Sequence, residues 1–247
     1  MELQDIKKCF QELSEKSYYE NSFTFTNFLS ASDASLVFDV VKKESFSLWG
    51  GAEESERVVI RFGNVKDMGY EVPFPIRIIR IAPVNVKFSD NLTHRDFLGA
   101  LMNLGIERDL LGDIVVRENH AYLFALEHIA PFIMENLDRV KYTSVRCEVL
   151  EEAPEDIKPV LEEEDLIVSN IRIDAILSKL YHLARGTAQE MVKEGRVLVN
   201  GRQIMSTSFE PKDGDVLVLR GYGKAKFVGK SGDTRKGKQV VKVMKYV

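Results

Sequence analysis

The sequence predicts an α+β chain built in parts, on three observations. Strand and helix patterns follow one another as β-α-β-β-α-β over residues 74–150. Two short amphipathic helices and an Asn-Gly hairpin follow within 172–204. Charge divides along the chain: residues 169–247 carry 16 Lys+Arg against 7 Asp+Glu, and residues 1–168 carry 18 against 31. The net charge of −4 thus conceals a basic last third, as expected where one segment alone meets a polyanion.

With 247 residues, two or three small domains can each bury a core, and 45% hydrophobic with 29% charged content is ordinary for a folded protein. No apolar run reaches the roughly 18 residues needed to span a bilayer. The opening "MELQDIKKCFQEL" places charges where a signal peptide needs apolar residues. A cytoplasmic protein with no membrane partner is expected. Cys9 and Cys147 show neither CxxC spacing nor a His cluster, so they read as small core residues and no metal is expected. No GxGxxG or phosphate-loop lysine motif occurs, and no cofactor is expected.

Taken in order, residues 1–73 read as an N-terminal α/β accessory segment. Helices are expected over 3–16 and 33–43, then strands in "FSLWGG" and "RVVIRFG", with Trp49 in the core and Gly50-Gly51 as a turn or close backbone approach. Residues 74–150 open with the strand-like "FPIRIIRIAPVNV" and a helix in "THRDFLGALMNLG", where Phe97, Leu98, Leu101 and Leu104 recur at helical spacing. "GDIVVRE" and "HAYLFALE" are two strands joined by a turn at Glu118-Asn119; "HIAPFIMENLD" is a helix and "YTSVRCEVLE" the last strand. That order defines a ferredoxin-like, or RRM-like, unit. Tyr122 and Phe124 stand on its third strand, but without the Lys/Arg-Gly context of a base-stacking strand they are assigned to core packing. Residues 151–168, acidic and interrupted by Pro154 and Pro159, read as a linker.

Within 169–247, Ile173, Ile176, Leu177 and Leu180 form one apolar stripe. Thr187 and Glu190 have the spacing of a capping box, which predicts a second helix starting at Ala188, with Gly195 ending it. Asn200-Gly201 suits a type I′ hairpin turn, and a further strand is expected over 216–220 after "PKDGD". Arg185 precedes the second helix, where unpaired N–H groups and the positive end of the dipole favour phosphate. Lys179, Arg185, Gln189, Lys193, Arg196 and Arg202 are therefore expected to line one RNA-binding surface, extended by Lys224 and Lys226, which project to one side of "GKAKF", and by "TRKGK". Singly, each is an ordinary surface charge; the set and the charge division favour RNA. His94, Arg95 and Asp96 are candidate contacts to tRNA or a partner, although Thr93 and Asp96 also suit the start of a helix.

The motifs "RID" (172–174), "ARGTAQEMVKEG" (184–195), "VLVNG" (197–201) and "DGD" (213–215) resemble the S4-type RNA-binding domain. Where that family usually has Ser-Arg, this chain has Ala184-Arg185, which removes one hydroxyl and leaves more of the role to Arg185. Over nearly the whole chain, "GGAEESER", "THRDFLGALMNLGIERDLLGDIVV", "ENL", "RGYGKAKF" and "GDTRKGK" are similar to the YlmH-like family of bacterial S4-domain proteins. The resemblance implies a non-enzymatic factor of ribosome-associated quality control. Its expected partners are ribosomal RNA of the large subunit, tRNA, and the ribosome with its quality-control factors. It would bind large subunits holding stalled peptidyl-tRNA and support C-terminal alanine tailing.

Two other classes stay open at this point: an RNA-modifying enzyme with an N-terminal catalytic domain of unrecognised type, and a protein-interaction adaptor linked to cell division. The first is disfavoured because nucleophile, base and cofactor loop do not occur as recognisable sets. "HRD" at 94–96 lacks the other kinase motifs. A monomer is expected, and Arg185→Glu is expected to weaken ribosome association without unfolding the chain.

Overall fold

The computed structural model describes residues 3–118, 120–235 and 237–246. The chain divides into two compact units, Met1–Lys158 and Pro159–Val247.

The first unit begins with α1 (Leu3–Glu20), which buries Ile6, Phe10 and Ser17 at steps of four and seven residues. Cys9, expected in the core, lies off that stripe and is exposed. Then come β1 (Thr24–Phe25), β2 (Leu29–Ser30), α2 (Ala31–Ala34), β3 (Phe46–Trp49), β4 (Arg57–Phe62) and α3 (Val65–Met68). Strand β4 pairs antiparallel with β1, β2 and β3. The helix expected over 33–43 is only α2 followed by a 3₁₀ turn, Ser35–Asp39; Val37, Phe38, Val40 and Val41 are weak helix formers. Trp49 is 40% exposed rather than buried, because Phe46 and Leu48 take the inward face of β3 and Trp49 falls on the other.

The ferredoxin-like unit holds β5 (Ile76–Pro83), α4 (His94–Asn103), β6 (Leu111–Arg117), β7 (His120–Leu126), α5 (Ala130–Asn136), β8 (Arg139–Val140) and β9 (Thr143–Leu150). Asn119, part of the expected turn before β7, lies outside the described residues. The sheet order is β6-β7-β5-β9-β8, with every pair antiparallel. The first strand of the βαββαβ order therefore lies between the third and fourth, as the ferredoxin-like class requires.

One sheet face, carrying Ile79, Ile81, Ala121 and Leu123, packs against Phe97 and Leu101 of α4 and Ile133 of α5. On the other, Ile78, Tyr122, Phe124 and Leu126 are covered by Phe28, Val59 and Ile157. Tyr122 and Phe124 are core residues, and around them the aromatic face that stacks bases in an RRM is closed by Phe28 and Val59 of the N-terminal layer and by Ile157.

Two glycines permit that closure. A β-carbon on Gly51, whose φ is +99°, would stand 2.3 Å from the Phe124 ring, and one on Gly112 would stand 2.7 Å from Phe28. Arg57 locks the layers, donating from Nε to the Leu111 carbonyl and from a terminal nitrogen to the Phe28 carbonyl, 2.9 Å each. The Asp113 carboxylate accepts from the N–H groups of Glu56 and Arg57 at 2.7 and 3.1 Å. Much of "GGAEESER" and "GDIVV" therefore serves this packing.

The second unit contains β10 (Leu161–Val168), α6 (Ile173–Leu180), α7 (Arg185–Lys193), β11 (Val197–Val199), β12 (Arg202–Ile204), β13 (Val216–Leu219), β14 (Gly223–Asp233) and β15 (Gln239–Tyr246). Its antiparallel sheet runs β10-β15-β14-β13-β11-β12. The acidic stretch expected to be a linker over 151–168 is not one throughout: 161–168 is an edge strand paired along its whole length with β15. Its charge complements the basic tail, Glu162 facing Lys245 and Asp165 facing Lys242, while Lys242 Nζ lies 2.6 Å from Glu163. Leu166 and Val168, on the face that Glu162 shares, are buried in the core.

Candidate nucleic-acid interface

The helices of the second unit are built largely as their sequence suggests. Ile173, Ile176, Leu177 and Leu180 are buried together with Ala188, Met191 and Val192 of α7. Helix α7 ends with Gly195 at φ +70°, its N–H donating to the Val192 carbonyl and that of Arg196 to Met191, the double bond of a Schellman motif. Asn200 and Gly201 have φ of 49° and 78°, the two positive values of a type I′ turn. The Asn200 side chain also donates to Asp215 at 2.8 Å and accepts from the Val216 N–H at 2.9 Å. The "DGD" motif thus ties the hairpin to β13.

The helix start is different. Helix α7 begins at Arg185 with Ala184 as its N-cap, and no side chain caps it; Thr187 and Glu190 lie inside the helix. Tertiary contacts around Arg185 extend the first turn. Ser178 donates from its hydroxyl to the Leu183 carbonyl at 2.7 Å, fixing the entry of the chain. Asp174, which has no solvent exposure, accepts at Oδ2 from Gln189 at 2.8 Å and from Arg185 Nε at 3.1 Å, and at Oδ1 from Arg172 Nε at 3.2 Å.

Burial pushes the Asp174 carboxyl up, but the hydrogen bonds from Gln189 and Arg185 and the charges of Arg185 and Arg172 outweigh it. The group therefore ionises below the ordinary aspartate range. Arg185 also donates to the Ser169 hydroxyl at 3.2 Å and to Asn170 Oδ1 at 3.4 Å. A guanidinium has five N–H donors, so these contacts leave about two for an outside acceptor, at a helix N-terminus that itself favours anions.

Of the residues expected on one surface, Arg185, Lys179 and Lys193 are exposed on the helical side, and Gln189 is half-buried against Asp174. Arg202 is exposed at the start of edge strand β12. Arg196 has a packing role: it donates to the Arg220 carbonyl at 2.8 Å and lies 6.0 Å over the Tyr222 ring.

Lys224 and Lys226 do not join this group. Ala225 and Phe227 point into the core beneath the helices, so the lysines between them face the opposite side of the sheet, with Lys224 Nζ 4.4 Å from the Tyr246 ring centroid. The basic residues therefore form two surfaces, because strand alternation separates them. In "TRKGK", Lys236 lies outside the described residues.

Sequence reasoning overlooked Arg172, Ser169 and Asn170. The Arg-x-Asp spacing of 172–174 signals the first; the other two become visible only through the Arg185 contacts.

In the first unit, the Asp96 carboxylate accepts from both the N–H and the hydroxyl of Thr93 at 2.8 Å, closing the start of α4. The backbone hydrogen bond leads in holding its pKa below the ordinary value. His94 and Arg95 are exposed. Arg95 and Asp96 border a groove of about 440 Å³ shared with Arg139 and Lys141.

Among the described residues, no helix is long and apolar enough to cross a membrane. Residues 71–153 match the family described as the putative RNA-binding domain in YlmH, and residues 171–217 match the S4 domain. The chain is 32% identical over 158 residues to the ribosome-associated protein quality control protein P2 of Bacillus subtilis, a match covering 62% of each chain. It thus spans less than two thirds of that relative's length. It is 35% identical over 51 residues to an uncharacterized RNA pseudouridine synthase of Aquifex aeolicus, covering 21% of each chain. Among solved structures it is similar to the cell division protein ylmH from Streptococcus pneumoniae, with a TM-score of 0.48 and 22% identity over 60% of this chain and 90% of that one. The chain thus carries, in this order, a region matching the putative RNA-binding domain in YlmH and a region matching the S4 domain, and it is similar in sequence to a protein named for ribosome-associated quality control.

Proposed function

We propose that this chain is a non-enzymatic RNA-binding factor that associates with the large ribosomal subunit carrying stalled peptidyl-tRNA and supports C-terminal alanine tailing. Its partners on this reading are large-subunit ribosomal RNA, tRNA and the quality-control factors, met by a monomer in the cytoplasm. One observation carries the RNA part: the buried Asp174 carboxylate holds Arg185 with donors to spare at the start of α7, with Lys179 and Lys193 exposed in the last turns of α6 and α7. The ribosomal part draws on the likeness to the Bacillus subtilis protein named for ribosome-associated quality control. The match to a pseudouridine synthase is about the length of the S4 domain and adds no catalytic group to the reading.

The test is sedimentation of the tagged chain from lysate through a sucrose gradient, beside a Lys179→Glu/Lys193→Glu variant. Co-migration with free large subunits, abolished in the variant, is the expected result. Wild-type protein remaining at the top of the gradient would overturn the ribosomal reading. Neutralising these lysines should also flatten the salt dependence of binding, by about 0.7 to 0.9 in slope for each phosphate that the protein no longer neutralises.

A further inference from the structure

The sheet face turned away from α4 and α5 is covered only in part. Phe28, Val59 and Ile157 close over Phe124 and its neighbours, but the His120 end of β7 stays open. There a hollow of about 450 Å³ is lined by Arg80, Ala82, Val84, His120, Arg146 and Glu148, among others, a volume within the range of small-ligand sites.

The register places a row across three adjacent strands. Ala82 pairs with Arg146, and because Ile81 pairs with Ala121, His120 comes next to Ala82 on the other side. His120 and Arg146 are thus two strand spacings apart, about 9.5 Å at the backbone, with a single methyl group as the floor between them. That gap admits one planar ring.

The imidazole is held in place. It stands edge-on to Tyr122, with centroids 4.9 Å apart and planes at 86°. Tyr122 donates its hydroxyl proton to Asp156 at 3.1 Å, so the His120 Nε2–H donates to the Tyr122 oxygen at 3.0 Å. Asp156 is fixed in turn, its carbonyl accepting from Arg117 Nε at 2.6 Å.

The charge around the hollow is mixed: Arg80 and Arg146 stand with Glu148 in its lining, and Asp156 Oδ2 lies 3.4 Å from His120 Nε2. Arg80 meets Glu148 only at 3.8 Å, and among the described residues no ion pair engages Arg146. Val84 and Val86, 65% and 57% exposed, make the rim apolar.

We infer that this hollow is a binding site for an unpaired nucleotide of single-stranded RNA, its base lying over Ala82 against the His120 ring and its phosphates meeting Arg80 and Arg146. A fixed ring, an apolar floor and flanking guanidinium groups are what unstacked bases use. A paired base has no free face to offer. An acidic peptide would engage the arginines but would have no use for the immobilised imidazole or the ring-wide gap. The site belongs to the first unit, whereas the RNA contact proposed above draws on residues of the second, so it goes beyond that function.

The test uses the full chain carrying Lys179→Glu and Lys193→Glu, which mute the helical surface, with fluorescein-labelled hexauridylate followed by anisotropy. This parent should bind the oligonucleotide. Arg146→Glu, Ala82→Leu and His120→Ala should each weaken binding at least about fivefold, whereas His120→Phe, which keeps a ring face, should stay within about twofold of the parent. Photocrosslinking with 4-thiouridine should label peptides containing residues 80–86, 120–122 or 146–148. Loss of all binding in the parent, crosslinks confined to 159–247, or variants that bind like the parent would overturn the inference. So would an oligoglutamate peptide that responds to the variants while hexauridylate does not, which would assign the hollow to a protein ligand.

Discussion

Asp174 is fully buried, yet its Oδ2 lies 3.1 Å from Nε of Arg185, whose side chain is 42% exposed. A core carboxylate thereby sets the direction of a surface cation. Arg172 and Gln189 complete its shell, so motif residues far apart in the sequence act as one polar cluster.

Replacing Arg185 by Glu should consequently do more than remove a phosphate contact. It would set a second carboxylate beside the buried one, and breaking a buried pair leaves an uncompensated charge. We expect Arg185→Glu to lower stability by about 2 kcal/mol or more, seen as a shifted urea midpoint, contrary to the intact folding expected from sequence. Lys193→Glu, on an exposed position, should leave the midpoint nearly unchanged and still weaken RNA binding.

The same carboxylate predicts a pH response. Its folded pKa lies below the unfolded aspartate value of about 3.9, so its contribution to stability is complete above that value and is lost as pH falls through the folded pKa. Urea midpoints should lack an Asp174-dependent change between about pH 5 and 7 and should gain an acid-side fall below about pH 4. That fall should shrink in Asp174→Asn; an identical acid limb in the variant would refute the assignment.

Two glycines should respond in opposite directions to alanine. Gly112→Ala would press a methyl into Phe28 and should lower stability by about 1 to 3 kcal/mol. Gly99 lies exposed within α4, with open space where a β-carbon would stand, so Gly99→Ala should raise stability by up to about 1 kcal/mol. Thermal melts of the two variants distinguish them, and a neutral Gly112→Ala would mean that Phe28 does not press on β6 as described.

Tyr181 offers a further check. Its hydroxyl is buried and lacks a hydrogen-bond partner among the described residues, and burial pushes its pKa up to about 12. Removing an unsatisfied buried hydroxyl relieves a desolvation penalty. Tyr181→Phe should be neutral or stabilising by about 1 kcal/mol; a clear loss of stability would reveal a partner for the hydroxyl.

What the sequence alone determined was local. The alternation of β5 to β9, the apolar stripe of α6, the type I′ turn at Asn200-Gly201 and the stop at Gly195 all follow from side-chain period or backbone stereochemistry within a few residues. The tertiary structure decided what depends on remote partners. Residues 161–168 are a strand because β15 supplies both the pairing edge and the opposite charge. Helix α7 starts at Arg185, with that side chain tied to Asp174 on another helix, although Thr187 and Glu190 have capping-box spacing. Lys224 and Lys226 lie apart from Arg185 because Ala225 and Phe227 took the core face. Tyr122 and Phe124 are closed to RNA because Phe28, Val59 and Ile157 arrive from elsewhere in the chain. In each case the deciding energy lies in contacts between segments distant in sequence, which no local pattern encodes.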